Sequence, residues 1–224
     1  MKKVISFSLW GNNPIYTIGA IKNAELTPII YPGWISRFYC GKSVPSEIIE
    51  QLKKIPTTEV ILMEENGNWE GMFWRFYACD DSDIMLSRDT DSRLNLREKF
   101  AVNEWLNSEK DFHIMRDHPY HSTQILGGMW GCRNGILRNI KFSEVIEKWN
   151  RFEKKGADQD FLGSVIYPFV KDRSLEHSDF NLRFGGEIKP FPTIRNNYEF
   201  VGDVFDENNI RHPEYWKIIK VVNG

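Results

Sequence analysis

The chain has 224 residues, of which 41% are hydrophobic and 27% charged, and this composition suits one large domain or two small ones. Its net charge of −2 lacks the basic footprint of a protein that binds duplex nucleic acid, so we expect no nucleic-acid partner. No apolar run approaches about 18 residues, so we expect no membrane span, and three scattered cysteines favour a reducing cytoplasm over a disulfide framework.

The first 92 residues predict four strands that alternate with helices. Asn13 is expected to cap the first helix, Pro14 to begin it and Pro28 to end it. A second helix is predicted over 45–55, and the aromatic stretch 71–79 is predicted as a buried helix. The strands are expected at 4–9, 34–39, 59–63 and 84–87. This repeat favours a parallel sheet covered by helices, with every strand ending on the edge where α/β proteins bind ligands.

The rest of the chain predicts a mixed half with more helix and loop. Its elements are expected to be a helix from Ser92 to Asn107, a strand over 112–115, and helices over 143–153 and 158–170. No change of composition typical of a linker separates the two halves. We therefore expect a single domain over 1–224, in which 1–92 forms a nucleotide-binding half and 93–224 an acceptor half.

Two aspartates, one residue apart, follow the fourth predicted strand. Side chains at i and i+2 of an extended segment point the same way, so Asp89 and Asp91 can aim at one point beyond the strand. Two carboxylates at such a short distance repel each other, and a bound divalent cation removes the repulsion. Oxygen ligands suit Mg2+ or Mn2+, which usually serve substrate phosphates. We expect a metal–diphosphate site here. The competing interpretation is that the two aspartates cap the following helix or are solvent-exposed charges of a turn.

At this point the order of motifs resembles glycosyltransferases of the GT-A fold, and in particular small DxD enzymes of bacteria and large DNA viruses. The resemblance spans roughly residues 4–205 and rests on the segments 73–76, 88–93, 112–119, 127–131 and 158–162. It implies an α/β, Rossmann-like, mostly parallel central sheet flanked by helices. It also implies a metal-dependent transferase that moves a sugar from a nucleotide-sugar, with UDP-sugars the first expectation, to a glycan or other hydroxyl acceptor in the cytoplasm.

The resemblance further implies a set of metal ligands. Asp89 and Asp91 would bind Mn2+ or Mg2+ on the donor diphosphate, and a later histidine often completes the coordination. His177 has the matching place in the order of motifs. The chain departs from the pattern in one respect, since it has no clear His-x-x-Gly-x-x-Lys motif of the kind found in some retaining families.

The donor-binding residues are expected at the end of the first strand and around the two aspartates. A buried arginine needs partners, and a phosphate or Asp89 would serve Arg75. Gly128 is expected to allow a close backbone approach to the donor sugar, with Trp130 as a stacking wall; a turn plus a core tryptophan is the alternative. The expected set is Ser8, Trp10, Asn13, Arg75, Arg88, Asp89, Thr90, Asp91, Gly128 and Trp130.

A catalytic base is required only if the transferase inverts the anomeric centre, since an inverting enzyme needs a carboxylate near the acceptor hydroxyl. Asp160 is the first candidate and Asp117 the second. In a retaining enzyme the residues 158–160 would instead bind sugar hydroxyls. The competing interpretations are helix capping for 158–160 and a structural ion pair for Asp117.

Three other functions compete with sugar transfer. A nucleotidyltransferase that makes a nucleotide-sugar usually carries a glycine-rich loop with Arg and Lys, which the segment 11–14 does not supply. A phosphohydrolase normally has its DxD motif after the first strand and not after the fourth. A non-catalytic sugar-binding module would use the aromatic residues without turnover.

Overall fold

The computed structural model describes residues 1–133, 140–180 and 184–222, and it contains one eight-stranded sheet. The strands are β1 (Lys3–Leu9), β2 (Ile35–Cys40), β3 (Thr58–Leu62), β4 (Ile84–Ser87), β5 (Phe112–Arg116), β6 (Trp130–Arg133), β7 (Ser174–Ser178) and β8 (Glu187–Lys189). Their order is β3-β2-β1-β4-β6-β5-β7-β8. Only β6 runs antiparallel to its neighbours β4 and β5. The predicted mostly parallel α/β sheet is confirmed.

Helices cover both faces of this sheet. They are α1 (Pro14–Ile30), α2 (Ser46–Lys53), α3 (Leu96–Leu106), α4 (Phe142–Trp149), α5 (Ala157–Phe161), α6 (Tyr167–Val170) and α7 (Pro213–Val222). A 3-10 segment, Trp69–Asp80, joins β3 to β4, and a π-helical turn, Leu162–Ile166, joins α5 to α6. Among the described residues, no helix combines the length and the apolar character that crossing a bilayer requires.

The central strand β1 is buried on both faces because helices pack above and below it. Ile5, Phe7 and Leu9 belong to the core that also contains buried residues of α1 and α2. Val4 belongs to the other core, built from the aromatic 3-10 segment, α4 and the start of α5. The aromatic stretch predicted to be buried therefore forms much of one core, as a 3-10 segment and not as an α-helix.

Several predicted helix boundaries are wrong, among them the end of the helix expected over 143–153, which stops at Trp149. Helix α1 continues past Pro28 to Ile30, because a proline in the last turn removes only its own N–H from the helix. Helix α3 is capped by Asn95, which accepts from the Glu98 N–H at 2.9 Å, while the hydroxyl of Ser92 turns back onto the DxD loop. Asp158 lies inside α5 and does not cap it.

Candidate active site beyond β1 and β4

The first and fourth strands place their following loops side by side. They pair in parallel with Lys3 opposite Ile84 and Ser6 opposite Ser87, so both chains leave the sheet at the same edge. A cavity of about 520 Å3 opens there. Seven of the ten expected donor-binding residues line it: Ser8, Trp10, Asn13, Arg75, Asp89, Thr90 and Asp91.

The loop after β1 is held from outside the cavity. The Gly11 N–H donates to the hydroxyl of Ser43 at 2.7 Å, and that hydroxyl donates to the carbonyl of Asn66. The ring of Trp10 packs against Gly67 and Gly71, where an added Cβ would contact the indole. The two glycines therefore make room for Trp10 at the mouth of the cavity.

The loop that carries the two aspartates is held by helix α1. A Cβ at Gly19 would overlap the carbonyl of Thr90, so helix and loop touch directly. The buried side chain of Asn23 donates to the Ser92 carbonyl at 2.8 Å and accepts from the Leu94 N–H at 3.1 Å. Sequence reasoning missed Gly19 and Asn23; their signal was a glycine and an amide on the buried face of a helix.

Arg75 joins the DxD loop to the start of α5. Its guanidinium pairs with Asp89 and, at 2.8 Å, with Asp158, while its backbone N–H donates to the hydroxyl of Ser8 at 3.0 Å. A Cβ at Gly127 would overlap both Arg75 and Asp158. The predicted partner of Arg75 is therefore present, and one oxygen of Asp158 remains buried without a hydrogen bond.

The electrostatics around the two aspartates favour a cation. Burial, and next the charge of Asp89, raise the pKa of Asp91 to about 6. A bound divalent cation would offset the repulsion between the two negative charges. The two carboxylates therefore fit Mg2+ or Mn2+. Among the described residues, no group of three or more His, Cys, Asp or Glu side chains is placed to share a metal. Such a pair suits an ion that takes its remaining oxygen ligands from substrate phosphates and water.

The structure does not bring His177 to this cavity. It lies on β7, fully buried, with Nδ1 2.8 Å from Nε2 of His113 and Nε2 3.1 Å from a carboxylate oxygen of Glu104. Both ring nitrogens are therefore engaged within the fold. We correct the expectation that His177 completes a metal site and assign it a place in a buried polar chain.

Asp117 is also placed away from the cavity. Its carboxylate is fully buried and accepts from Arg97 at 2.7 and 2.9 Å, from Arg195 at 2.6 Å and from the Val201 N–H at 2.8 Å. Donors from the fold occupy both of its oxygens, and the buried side chain is out of reach of an acceptor hydroxyl. This corrects the second base candidate in favour of the structural ion pair.

Asp160 lies on a second cavity of about 700 Å3. Its carboxylate is 53% exposed and pairs with Lys154 at 2.6 Å. The two cavities share Lys155, Gly156 and Gln159 in their walls. Asp160 therefore lies beside the first cavity and not in it, and its assignment as base stays a prediction.

The three remaining donor candidates lie behind the cavity wall. Arg88 is buried, pairs with Glu98 at 3.2 Å and donates to backbone carbonyls. Trp130 is fully buried and stacks on Phe112, with ring centroids 5.2 Å apart, so the core alternative is the correct one. At Gly128 a Cβ would overlap the carboxylate of Asp89, so this glycine makes room for the DxD motif itself.

Several cavity residues had no signal in the sequence. The prominent ones are Tyr16, Trp69, Met72, His121, Lys155 and Gly202. They come from α1, from the 3-10 segment and from separate loops, and only the packing of the chain brings them to one wall. For Tyr16, burial followed by the charges of Asp91 and Asp89 raises the pKa of the phenol, which locates its side chain near the two carboxylates.

Comparisons with known proteins place the fold. No protein-family model matches the chain, and no curated protein sequence matches it. A glycosyltransferase involved in glycosylation of the major capsid of the virus PBCV-1 aligns at 15% identity over 80% of this chain and 82% of that one, with a TM-score of 0.51. A mannosyltransferase from Pyrobaculum calidifontis, in complex with GDP-Man and Mn2+, aligns at 12% identity over 86% and 57%, with a TM-score of 0.52.

Staphylococcus aureus TarS 1–349, in complex with UDP, aligns at 12% identity over 85% of this chain and 60% of that one, with a TM-score of 0.51. The chain therefore spans less than two thirds of the TarS and mannosyltransferase structures. At these identities the likeness is one of fold. The expected GT-A-like architecture is confirmed by it.

Proposed function

We propose that this chain, which has a GT-A-like fold, is a metal-dependent glycosyltransferase that uses a nucleotide-sugar donor. One observation carries the proposal: Asp89 and Asp91 leave β4 into the same cavity as the loop after β1. In an α/β sheet this edge is where phosphorylated ligands bind. The cavity wall combines the aromatic side chains of Trp10 and Tyr16 with the two carboxylates, a mixture that suits the base and the metal-bound phosphates of a nucleoside diphosphate.

Asp89 and Asp91 would hold Mn2+ or Mg2+ against the diphosphate. When bound, the ion would act as a Lewis acid that stabilises the charge of the departing nucleoside diphosphate. Arg75 lines the same cavity and pairs with the carboxylate of Asp89, which fixes the position of that carboxylate. The mannosyltransferase of the same fold was solved with GDP-Man and Mn2+, which supports this assignment.

The second cavity is our proposed acceptor site. It adjoins the first through Gly156 and Gln159, so an acceptor hydroxyl there would lie next to the donor sugar. Its wall includes Gln124, Trp149 and Asp160, a mixture of amide, aromatic and carboxylate groups that binds sugar hydroxyls. We propose a glycan or another polyhydroxylated acceptor for this site.

Two carboxylates are available for roles near the acceptor. Asp160 remains the candidate base of an inverting reaction, because it is exposed on the second cavity. Asp158 lines the first cavity with one unpaired buried oxygen, which suits a hydroxyl of the donor sugar. Product anomer analysis distinguishes the two outcomes: inversion requires the base, and retention leaves both residues as sugar ligands.

The experiment that tests the function is a binding and turnover panel. Wild-type protein is screened by thermal shift against UDP, GDP and their sugar conjugates, with and without Mn2+, and the ligand that binds is then tested for turnover to free nucleoside diphosphate. We expect Mn2+-dependent stabilisation, which Asp91→Asn loses while it keeps its fold. Stabilisation by no nucleotide at millimolar concentration would refute the proposal.

The rival nucleotidyltransferase activity is tested in the same panel. Its substrates are a nucleoside triphosphate and a sugar phosphate, and its product is pyrophosphate. The loop after β1 lines the cavity with Gly11, Asn12 and Asn13 and brings no Arg or Lys to a triphosphate. We therefore expect no pyrophosphate release.

A further inference from the structure

Two histidines in the loop after β5 have the same hydrogen-bonding pattern at Nδ1. The Asp117 N–H donates to Nδ1 of His121 at 3.0 Å, and the Tyr120 N–H donates to Nδ1 of His118 at 3.0 Å. A backbone N–H can only donate, so each Nδ1 is an acceptor. Each neutral ring therefore carries its hydrogen on Nε2.

The two rings use that Nε2 hydrogen differently. In His118 it donates to the carbonyl of Tyr215, 3.1 Å away, and ties the loop to α7. His121 lines the donor cavity, and no hydrogen bond of its Nε2 is made with any other described residue. The donor cavity is thus supplied with one N–H whose ring orientation and tautomer are set by the backbone of Asp117.

The position of His121 in the cavity follows from the segment 200–205. The Phe200 ring lies 5.9 Å from the His121 ring, and Gly202 lines the cavity beside it. Further along, the Phe205 N–H donates to the carbonyl of Asp91 at 2.9 Å. One short segment therefore packs against His121 and hydrogen-bonds the backbone of Asp91, and both residues line the same cavity.

We propose that His121 binds the diphosphate of the nucleotide-sugar donor through Nε2–H, as a neutral hydrogen-bond donor and not as a metal ligand. The inference rests on the proposed function and deepens it. A metal ligand would need a lone pair at Nε2, which moves the hydrogen to Nδ1, against the N–H of Asp117. A hydrogen bond to an anionic phosphate oxygen satisfies both nitrogens.

The surroundings keep this imidazole neutral. Burial, and then His118, Arg116 and Arg195, lower the pKa of His121 to about 3. The ring is thus an uncharged donor above about pH 6, where Asp91 is ionised. Its contribution to phosphate binding stays constant over that range, unlike that of an imidazolium.

The test compares three proteins with the nucleoside diphosphate, UDP or GDP, that binds the wild type. His121→Gln keeps a donor of similar reach, and His121→Leu removes it. By calorimetry with Mn2+ present, we expect the diphosphate Kd to rise roughly ten- to a hundredfold in His121→Leu and at most a few-fold in His121→Gln. The Kd of the corresponding nucleoside, which lacks phosphate, and the affinity for Mn2+ alone, measured by electron paramagnetic resonance, are expected to stay unchanged.

His118→Gln is the matched control, since it alters the same loop outside the cavity, and thermal unfolding confirms that each variant folds. Nitrogen-15 spectra of the wild type are expected to show His121 with its hydrogen on Nε2. An unchanged diphosphate Kd in a folded His121→Leu would overturn the inference alone, and so would a loss of Mn2+ affinity in that variant. A wild type that binds no nucleoside diphosphate would overturn the proposed function as well.

Discussion

The guanidinium of Arg75 donates to Asp158 at 2.8 Å while it also pairs with Asp89, so one buried cation serves two carboxylates from opposite halves of the chain. Arg75→Met leaves both acids without a counter-ion. Because breaking a buried ion pair leaves an uncompensated charge, we expect the free energy of unfolding in urea to fall by about 3 kcal/mol. The exposed Arg151 supplies the control: Arg151→Met should cost less than about 0.5 kcal/mol. Equal losses in the two variants would contradict the bridge.

Asp91 is predicted to cost stability when no metal is present. Burial and Asp89 raise its pKa from 3.8 to about 6, so the folded state holds the proton longer than the unfolded state. The contribution of Asp91 to the free energy of unfolding is most favourable below pH 3.8 and is lost as the pH rises through 6. In EDTA, Asp91→Asn should therefore gain about 3 kcal/mol over wild type at pH 8 and nothing near pH 4.

His177 is predicted to act on stability and not on metal binding. Its ring joins His113 to Glu104, and His177→Leu would leave the buried His113 with an unmade hydrogen bond and remove one from the partly exposed Glu104. We expect the free energy of unfolding to fall by about 2 kcal/mol, measured in urea, while the Mn2+ affinity equals that of wild type. A variant that kept its stability and lost Mn2+ would restore the ligand role.

The buried His113 is predicted to make the fold sensitive to acid. Burial, followed by the charges of His177 and Arg88, lowers the pKa of His113 well below 6.5. Below pH 6.5 the unfolded chain therefore binds a proton at this histidine, while the folded chain does not. Its stabilisation is present above pH 6.5 and is lost as the pH falls, by about 1.4 kcal/mol per pH unit. His113→Phe retains an aromatic ring to stack on Trp105 and removes the pH-dependent contribution of His113 to the free energy of unfolding. Urea unfolding of both proteins at pH 7 and pH 5.5 should therefore give a smaller difference for the variant.

Gly128 is predicted to be indispensable to the site because of volume alone. A Cβ there would overlap the carboxylate of Asp89, so Gly128→Ala must displace the DxD motif. We expect nucleoside diphosphate affinity to fall at least tenfold in calorimetry, because the carboxylates move relative to the phosphates. Gly163→Ala is the control, since its Cβ would meet only the end of the Gln124 side chain, at 3.1 Å. Comparable affinities in the two variants would contradict this prediction.

Local patterns identified the nucleotide half of the chain. Short apolar strands, Asn13 before Pro14, and a DxD motif at the end of a strand are short-range signals, and the structure has the predicted element at each. The order of these elements also placed the loops after β1 and β4 on one edge, because parallel strands with right-handed crossovers leave little choice. Seven expected residues therefore meet at one cavity.

The interpretations that failed concern single side chains whose direction depends on distant partners. His177 and Asp117 have the residue type of a ligand and a base, but Glu104, Arg97 and Arg195 hold them inside the fold. Trp130 comes directly after a glycine-rich segment, which suggested a ring that stacks on the donor sugar. The pairing of β6 with β4 instead directs its side chain into the aromatic core. No local pattern distinguishes these outcomes, because the partners lie tens of residues away.

The sequence by itself determined the alternating β-α order, the mostly parallel sheet and the two aspartates at its ligand edge, since these depend on hydrophobic periodicity and on the handedness of the chain. Only the tertiary structure decided what surrounds Asp89 and Asp91. Arg75 pairs with Asp89 and joins it to Asp158, and His121 lines the same cavity from a third segment, through contacts that side-chain packing and charge compensation select. Burial sets their protonation and tautomers, and burial is a property of the folded chain.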